Sequence, residues 1–261
     1  MTRLARPSNY VQLLSEAVAA SRNTRFWREK LGERPVCTID DFETLPFASV
    51  EEYRAQTFDS VVADPGGIEW IPGPWLGQFP NRVPMAEGPA EAQVRVDLMC
   101  EALSRALPDE TRGSSALVVV ESKRRHFGAE VCSVLVRMGV RAHLITEDAT
   151  DRMPELHSTF APDLLVALSS RLHLQTLPDS VTGVVTVLSD AMLEGKRYVD
   201  LLIQNELGVL GSRTGPSLYD LNHHTFHIEE SPAGTMAVTP YFSRVQPVIR
   251  LDTGIDASVL N

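Results

Sequence analysis

The runs SALVVV (115–120), RAHLIT (141–146), PDLLVAL (162–168) and TGVVTVL (182–188) decide the fold. Each is short, apolar and rich in branched side chains, so each reads as a strand. The segments between them are amphipathic, and helices are expected near 127–138 and 151–160, with a short one near 171–175. Another helix, near 90–107, precedes the first run. Apolar strands alternating with helices imply βαβ units around a parallel sheet buried on both faces. From about residue 198 strands dominate, with turn signals at Gly208, Gly211, Gly215-Pro216 and Pro232-Ala233-Gly234. The fold class is therefore α/β with mixed sheets, followed by a β-rich C-terminal portion.

Upstream, Leu13, Leu14, Ala17, Val18, Phe26 and Trp27 recur at helical spacing, with Asn23-Thr24 as a break and N-cap. Ser49 and Glu52 form a capping pattern, so a short helix should start there. Residues 64–90 hold six prolines together with Trp70, Trp75 and Phe79. That density of breakers excludes a long helix.

Composition narrows the function. The 261 residues carry 24 Lys plus Arg against 34 Asp plus Glu, a formal charge of −10. An acidic chain repels phosphate backbones, and its longest basic run is Lys123-Arg124-Arg125, so no nucleic-acid partner is expected. No apolar stretch approaches the roughly 20 residues of a membrane span, and no secretory leader opens the chain, so a cytoplasmic protein is expected. Cys37, Cys100 and Cys132 are odd in number and widely spaced, which argues against disulfides and thiolate metal sites. Cys100 and Cys132 read as small buried hydrophobes.

Five stretches, in order along the chain, resemble one family. SRNTRFWREKLGE (21–33) and IDDFETLPFASVEEYRAQ (39–56) resemble the "T-x-F-Y-R" and "D-L-x-x-L-P-F-x-x-K-x-D-L-R" opening of phenylacetate-CoA ligase-like enzymes. YVDLLIQNELGVLGSR (198–213) resembles their "Y-G-x-T-E-x-G" segment, and SLYDLNHHTFHIEE (217–230) their "G-L-H-x-x-E-D-H-F-x-V-E". AGTMAVTPYFSRVQPVIRLDTGID (233–256) resembles "G-E-L-V-x-T-x-L-x-x-x-x-x-P-x-I-R-Y-R-T-G-D". The resemblance, to the adenylate-forming superfamily, implies one reduced adenylation-type domain. Its expected regions are helical over 1–63, an α/β core over 64–197 and β-rich over 198–261. Family members use ATP and magnesium to activate a carboxylate as an acyl-adenylate, and many then transfer it to CoA.

The departures carry as much information. The family's phosphate loop is rich in Ser, Thr and Gly and ends in Lys-Pro, whereas the matching stretch here is IPGPWLGQFPN (71–81). Gly73 and Gly77 remain, but prolines lack the amide donors of a phosphate cradle. The "R-T-G-D" becomes Asp252-Thr253-Gly254-Ile255, so Ile255 replaces the aspartate that the family uses for the nucleotide ribose. Asp256 lies one place along, where a strand points to the opposite face. Arg250 matches the "P-x-I-R" arginine, and Glu206 matches the family's magnesium-binding glutamate. The chain ends soon after this motif, so no lid domain is expected.

Several candidate sites follow. Lys123, Arg124, Arg125 and His126, before a predicted helix N-terminus, suit an anion; they read equally as a solvated turn balancing Glu121 and Glu130. Ser169 and Ser170 follow the third strand and suit a ligand hydrogen bond or an ST-turn capping the helix after them. Gln204, Asn205 and Glu206 end a strand at the centre of the family's pocket; they line that pocket or form a buried, satisfied amide pair. In Asn222–His227, a strand would put His223 and His227 about 13 Å apart, too far for one metal ion. His224 resembles the "D-H-F" histidine and reads as structural.

The expected function is that of a degenerate adenylation-like protein of small-molecule biosynthesis, with no resident cofactor or metal. It would bind a small aromatic or acyl carboxylate, an acyl thioester or a carrier-protein partner. The alternatives are a minimal ligase that uses ATP, magnesium and CoA, and a structural partner of an intact ligase. A homodimer is left open.

Overall fold

The computed structural model describes residues 5–69, 85–107, 113–168, 177, 180–189, 195–215 and 218–260. Helices α1 (Tyr10–Ser21), α2 (Arg25–Leu31) and α3 (Ile39–Glu43) lead into strand β1 (Ala48–Ser49) and helices α4 (Val50–Arg54) and α5 (Phe58–Val61). Helix α6 (Pro89–Ser104) precedes the alternating series β2 (Ser115–Val120), α7 (Arg125–Arg137), β3 (Arg141–Thr146), α8 (Met153–Phe160), β4 (Leu164–Leu168) and β5 (Gly183–Val187). Strands β6 (Arg197–Gln204), β7 (Gly208–Arg213), β8 (Asp220–Leu221), β9 (Phe226–Glu230), β10 (Thr235–Pro240) and β11 (Leu251–Asp256) follow. The short helix expected near 171–175 lies outside the described residues. No helix of the described residues is long and apolar enough to cross a membrane.

The chain folds as two compact units. The described residues of the first are 5–69, 85–93 and 220–260; those of the second fall within 94–219. The N-terminal helices thus share a unit with the last strands.

In the second unit the strand order is β3-β2-β4-β5-β6-β7. Neighbours from β3 through β6 run parallel, and β7 returns antiparallel to β6. Every residue of β2 and β4 is buried, as a strand covered on both faces requires. Helix α7 packs on β2 and β3, and Gly128 makes the close approach possible. A Cβ there would stand 2.6 Å from Leu144 Cδ1 and 2.7 Å from Val120 Cγ1. A core of Leu117, Val119, Leu165, Val184 and Tyr198 also takes in Val181.

The first unit holds the sheet β1-β11-β10-β9. β9, β10 and β11 form an antiparallel meander, and β1 joins β11 in parallel. Thr24 caps α2 by accepting from the Trp27 amide, which points Phe26 and Trp27 into the core. Ser49 caps α4 by accepting from the Glu52 amide at 3.0 Å. Trp27 Nε1 and the Tyr53 hydroxyl both donate to the Pro247 carbonyl, at 2.8 and 3.2 Å. Two rings that bring apolar area to the core therefore also anchor the chain leading to Arg250. Glu91 on α6 is buried and accepts from the Val245 amide at 2.7 Å and from the Gly88 amide. Burial pushes its carboxyl up, and Arg244 works against that shift.

Residues 222–225, expected as strand, instead form a turn in which the amides of Thr225 and Phe226 both donate to the Asn222 carbonyl, at 2.9 and 3.0 Å. The strand begins only at Phe226. The histidines consequently fall in different environments. His223 and His224 lie on the half-buried turn, while His227 is buried, with Phe42 at 5.1 Å edge-on and Tyr241 at 6.4 Å.

Two outcomes follow from this packing. At Gly183 a Cβ would lie 2.2 Å from the Ala106 carbonyl oxygen, which is backbone and cannot swing away. Gly183→Ala should destabilise the chain by about 1–3 kcal/mol, read as a lower denaturant midpoint with unchanged slope. His227 is held down to about 4, by burial first and then by the charges of Arg6 and Arg250. It is neutral when folded but ionises near 6.5 when unfolded, so the unfolded chain binds more protons between those values. Its contribution is fully present above pH 6.5 and is lost as pH falls toward 4, amounting to roughly 3 kcal/mol. Urea unfolding at pH 7 and at pH 4.5 should show that loss, and His227→Phe should reduce it.

Candidate functional site

Gln204 is the last residue of β6, and the chain reverses over Asn205-Glu206-Leu207 into β7. The Leu207 amide donates to the Gln204 carbonyl at 3.1 Å, and Gly208 takes φ +89°, which only glycine adopts freely. Gln204 and Glu206 are both buried, and Gln204 Nε2 donates to Glu206 Oε2 at 2.9 Å. The hairpin turn thus brings together two of the three residues proposed here as pocket-lining, and leaves Asn205 half-buried between them.

A larger polar cluster stands four residues earlier on β6. Asp200 is fully buried in the second unit. Its Oδ1 accepts from the Thr186 hydroxyl at 2.7 Å and from the Ser189 amide at 3.0 Å. Its Oδ2 accepts from the Tyr219 hydroxyl and lies 3.3 Å from Arg213 Nη2. Tyr198 shares a hydrogen bond with Thr186 at 2.8 Å, and Arg213 also donates to the Ser189 carbonyl at 2.6 Å. Its guanidinium lies 4.6 Å from the centre of the Tyr219 ring. Burial raises both phenols, and the bond to Asp200 raises Tyr219 further.

This cluster holds the corner at the carboxyl end of β5, the end where open α/β sheets place ligands. Leu188 there has φ +49° and is exposed, a conformation that costs an ordinary side chain free energy. The Ser189 amide bonds to Asp200 offset that cost. Sequence reading missed the cluster. The available signal was a lone aspartate in the apolar run YVDLLI, with Thr186 in register beside it on β5.

The basic turn is partly neutralised from within. Lys123 Nζ lies 2.9 Å from Glu121 Oε2, and Arg124 Nε lies 3.6 Å from the same oxygen. Glu130 pairs with Arg95 instead, which corrects half of the expected charge balance. Arg125 and His126 open α7 as exposed residues. Cys100 and Cys132 are half-buried rather than buried, and burial pushes Cys132 up to about 11, which leaves it an inert thiol.

The motif positions of the first unit are occupied by internal bonds. Arg250 has φ +43° and a buried side chain. Its guanidinium meets Glu229 in a fork, Nε to Oε1 at 2.9 Å and Nη2 to Oε2 at 2.6 Å. Nη1 donates to the carbonyls of Glu43 and Leu45, and the group lies 3.8 Å from the centre of the Phe47 ring. Asp252 accepts from Thr235 at 2.6 Å, Ser231 at 3.0 Å and the Gly254 amide at 3.1 Å. Asp256 is exposed and accepts from the Ser258 amide at 2.8 Å, which holds its carboxyl below the usual range. Ile255 is half-buried between them. Ser169, Ser170, Gly73 and Gly77 lie outside the described residues.

A scan against protein-family models finds no match, and a search of curated proteins finds none either. Solved structures do match. A 2-hydroxyisobutyryl-CoA ligase, in an open conformation with 2-hydroxyisobutyryl-AMP and CoA, superposes with a TM-score of 0.72 at 14% identity. The match covers 94% of this chain and 63% of the ligase. The same enzyme in its postadenylation state, in complex with 2-hydroxyisobutyryl-AMP, gives a TM-score of 0.67 at 14% identity, over 97% of this chain and 64% of that one. The chain thus spans less than two thirds of the length of the ligase it resembles. Over that span it has the mixed α/β fold of an adenylate-forming CoA ligase.

Proposed function

We propose that this ligase-like chain binds a small carboxylic acid or its CoA thioester, and that ATP-dependent activation of that acid has been lost. The reading rests on one observation above others: the strand that should offer a carboxylate to a nucleotide ribose offers Ile255. The acids on either side do not substitute for it. Asp252 is engaged by two hydroxyls and an amide, and Asp256 caps the turn that follows it. An aliphatic side chain accepts no hydrogen bond, and a ribose hydroxyl buried against one loses its partners.

The residues present also fit a magnesium ion poorly. Among the described residues no group of three or more His, Cys, Asp or Glu side chains could hold a metal ion, and Glu206 Oε2 already receives an amide proton from Gln204. On this reading ATP and magnesium supply no step here. What the fold retains is the hairpin turn at Asn205-Glu206, placed where the resemblance locates the acyl pocket. The solved relative, in complex with an acyl-AMP and CoA, supports a carboxylate or thioester as the ligand class. An accessory role in small-molecule biosynthesis, alongside a carrier protein or an intact ligase, fits a chain that binds an acyl group without activating it.

Calorimetry separates this reading from that of a minimal ligase. Titration with ATP and magnesium should give no saturable heat, and pyrophosphate exchange should stay at background with any carboxylate. Titration with benzoyl-CoA or 2-hydroxyisobutyryl-CoA should give saturable binding. Asn205→Ala should weaken it about tenfold, the value of one hydrogen bond in a desolvated site. Carboxylate-dependent exchange above background would overturn the reading.

A further inference from the structure

Among the described residues two histidines are buried, His227 in the first unit and His157 in the second. His157 lies on α8 and is 9% exposed, and neither of its ring nitrogens has a hydrogen-bond partner. A neutral imidazole carries one donor and one acceptor, so both are left unmade. Buried polar groups are bonded in the great majority of cases, and one left without a partner destabilises the fold locally.

The end of the same helix carries a second strain. The Ala161 amide donates to the His157 carbonyl at 2.9 Å, and Ala161 takes φ +43°. That left-handed position closes many helices and is normally held by glycine or asparagine. The other described non-glycine residues at positive φ are Leu188 and Arg250. The bonds of Ser189 to Asp200 and of Arg250 to Glu229 hold those two, whereas an alanine side chain has no atom to bond.

The packing that holds α8 is thin. Leu144 of β3 faces Gly128 on α7, so its neighbour His143 points to the opposite face of the sheet. There the His143 ring stacks on Phe160, the last residue of α8, at 3.9 Å. No residue of β3 is buried, whereas β2 and β4 are buried throughout. With eight residues α8 is shorter than the roughly 12 that a helix needs to persist alone, so it depends on this packing.

We propose that protonation of His157 releases α8 from this face of the sheet while β2 and β4 stay paired, an acid-sensitive opening built into the second unit. Released, the imidazolium is solvated; in place, it would be a buried charge without a partner. The described groups around it supply none. Residues 115–120 of β2 and 164–168 of β4 include no titratable side chain. Asp163, just before β4, accepts from the Ser115 amide at 2.9 Å. β3 offers Arg141, which donates to the Gly113 carbonyl at 3.2 Å, and the half-buried His143. In the turn before α8 stand Glu147 and Asp148, and Asp148 accepts from the Ser122 hydroxyl at 2.8 Å. Glu155, on α8 itself, is exposed. Burial is what holds His157 below its ordinary value of 6.5. The ring is therefore neutral when covered and ionises near 6.5 when released, so opening takes up a proton and is favoured as pH falls below 6.5. The inference is independent of whether the chain binds an acyl group.

Amide hydrogen exchange of the full chain, with intrinsic rates corrected for pH, tests it. Between pH 7.5 and 5.5 the amides of 157–161 should lose protection severalfold, up to the roughly tenfold that one proton allows. The amides of β2 and β4 should keep theirs. His157→Phe should raise the protection of α8 and remove its pH dependence. His157→Gln, a polar side chain that takes no proton, should remove the dependence as well. His143→Phe, which keeps the stack on Phe160, should leave the dependence intact. Protection of α8 that is constant with pH would overturn the proposal. So would a dependence that survives both His157 substitutions or vanishes with His143→Phe, or a loss shared equally by β2 and β4.

Discussion

A parallel sheet covered on both faces has no side to turn toward water, and that constraint governs the second unit. It demands strands apolar on successive residues, which β2 and β4 supply without exception. It also makes any polar residue in such a strand costly unless every bonding atom finds a partner. Asp200 shows the consequence. Its carboxylate is surrounded by two hydroxyls, an amide and a guanidinium, and none of these is adjacent to it in sequence. The burial that would disfavour a lone acid here organises four chain segments around one. It also explains how Leu188 can be held in a left-handed conformation at the end of β5.

The first unit solves a mirror-image problem around a cation. Arg250 cannot shed its charge, so burying it requires acceptors. Glu229 provides a fork, two backbone carbonyls of the α3–β1 connection provide further oxygens, and Phe47 provides an aromatic face. These partners come from the N-terminal helices and from β9, so the arginine ties the two ends of the chain into one unit. Trp27 and Tyr53 reinforce the same junction by sharing the Pro247 carbonyl three residues upstream.

Features governed by local rules were legible in the sequence. The break at Thr24, the cap at Ser49, and the strand and helix order from 115 to 168 all depend on near neighbours and periodicity, and the structure shows each of them. The order of motifs along the chain carried the fold family, although identity to the solved ligase is only 14%. What could not be read was long-range pairing of polar groups. Nothing near Asp200 in sequence announces Tyr219 or Ser189, and nothing near Glu130 announces Arg95. The histidine run misled because strand periodicity was extended one turn too far; the Asn222 carbonyl takes two amides and ends the regularity at Thr225.

The two kinds of motif residue diverge for a physical reason. Arg250, which matches the resembled motif, is a structural cation here, and its loss would strand the half-buried Glu229 carboxylate and two backbone carbonyls. Ile255 stands where the resembled motif has an aspartate that the resemblance assigns to a ligand. On the proposed reading no ribose has to be held there, and a half-buried aliphatic side chain is tolerated where a carboxylate would need a partner. Asp252 follows the same logic in reverse. It stands where the resembled motif has a base, and Ser231 and Thr235 supply the hydroxyls that make an acid tolerable. On the reading proposed above, a strand whose polar groups are satisfied from within the chain is the residue-level form that loss of nucleotide binding would take on a scaffold that still folds.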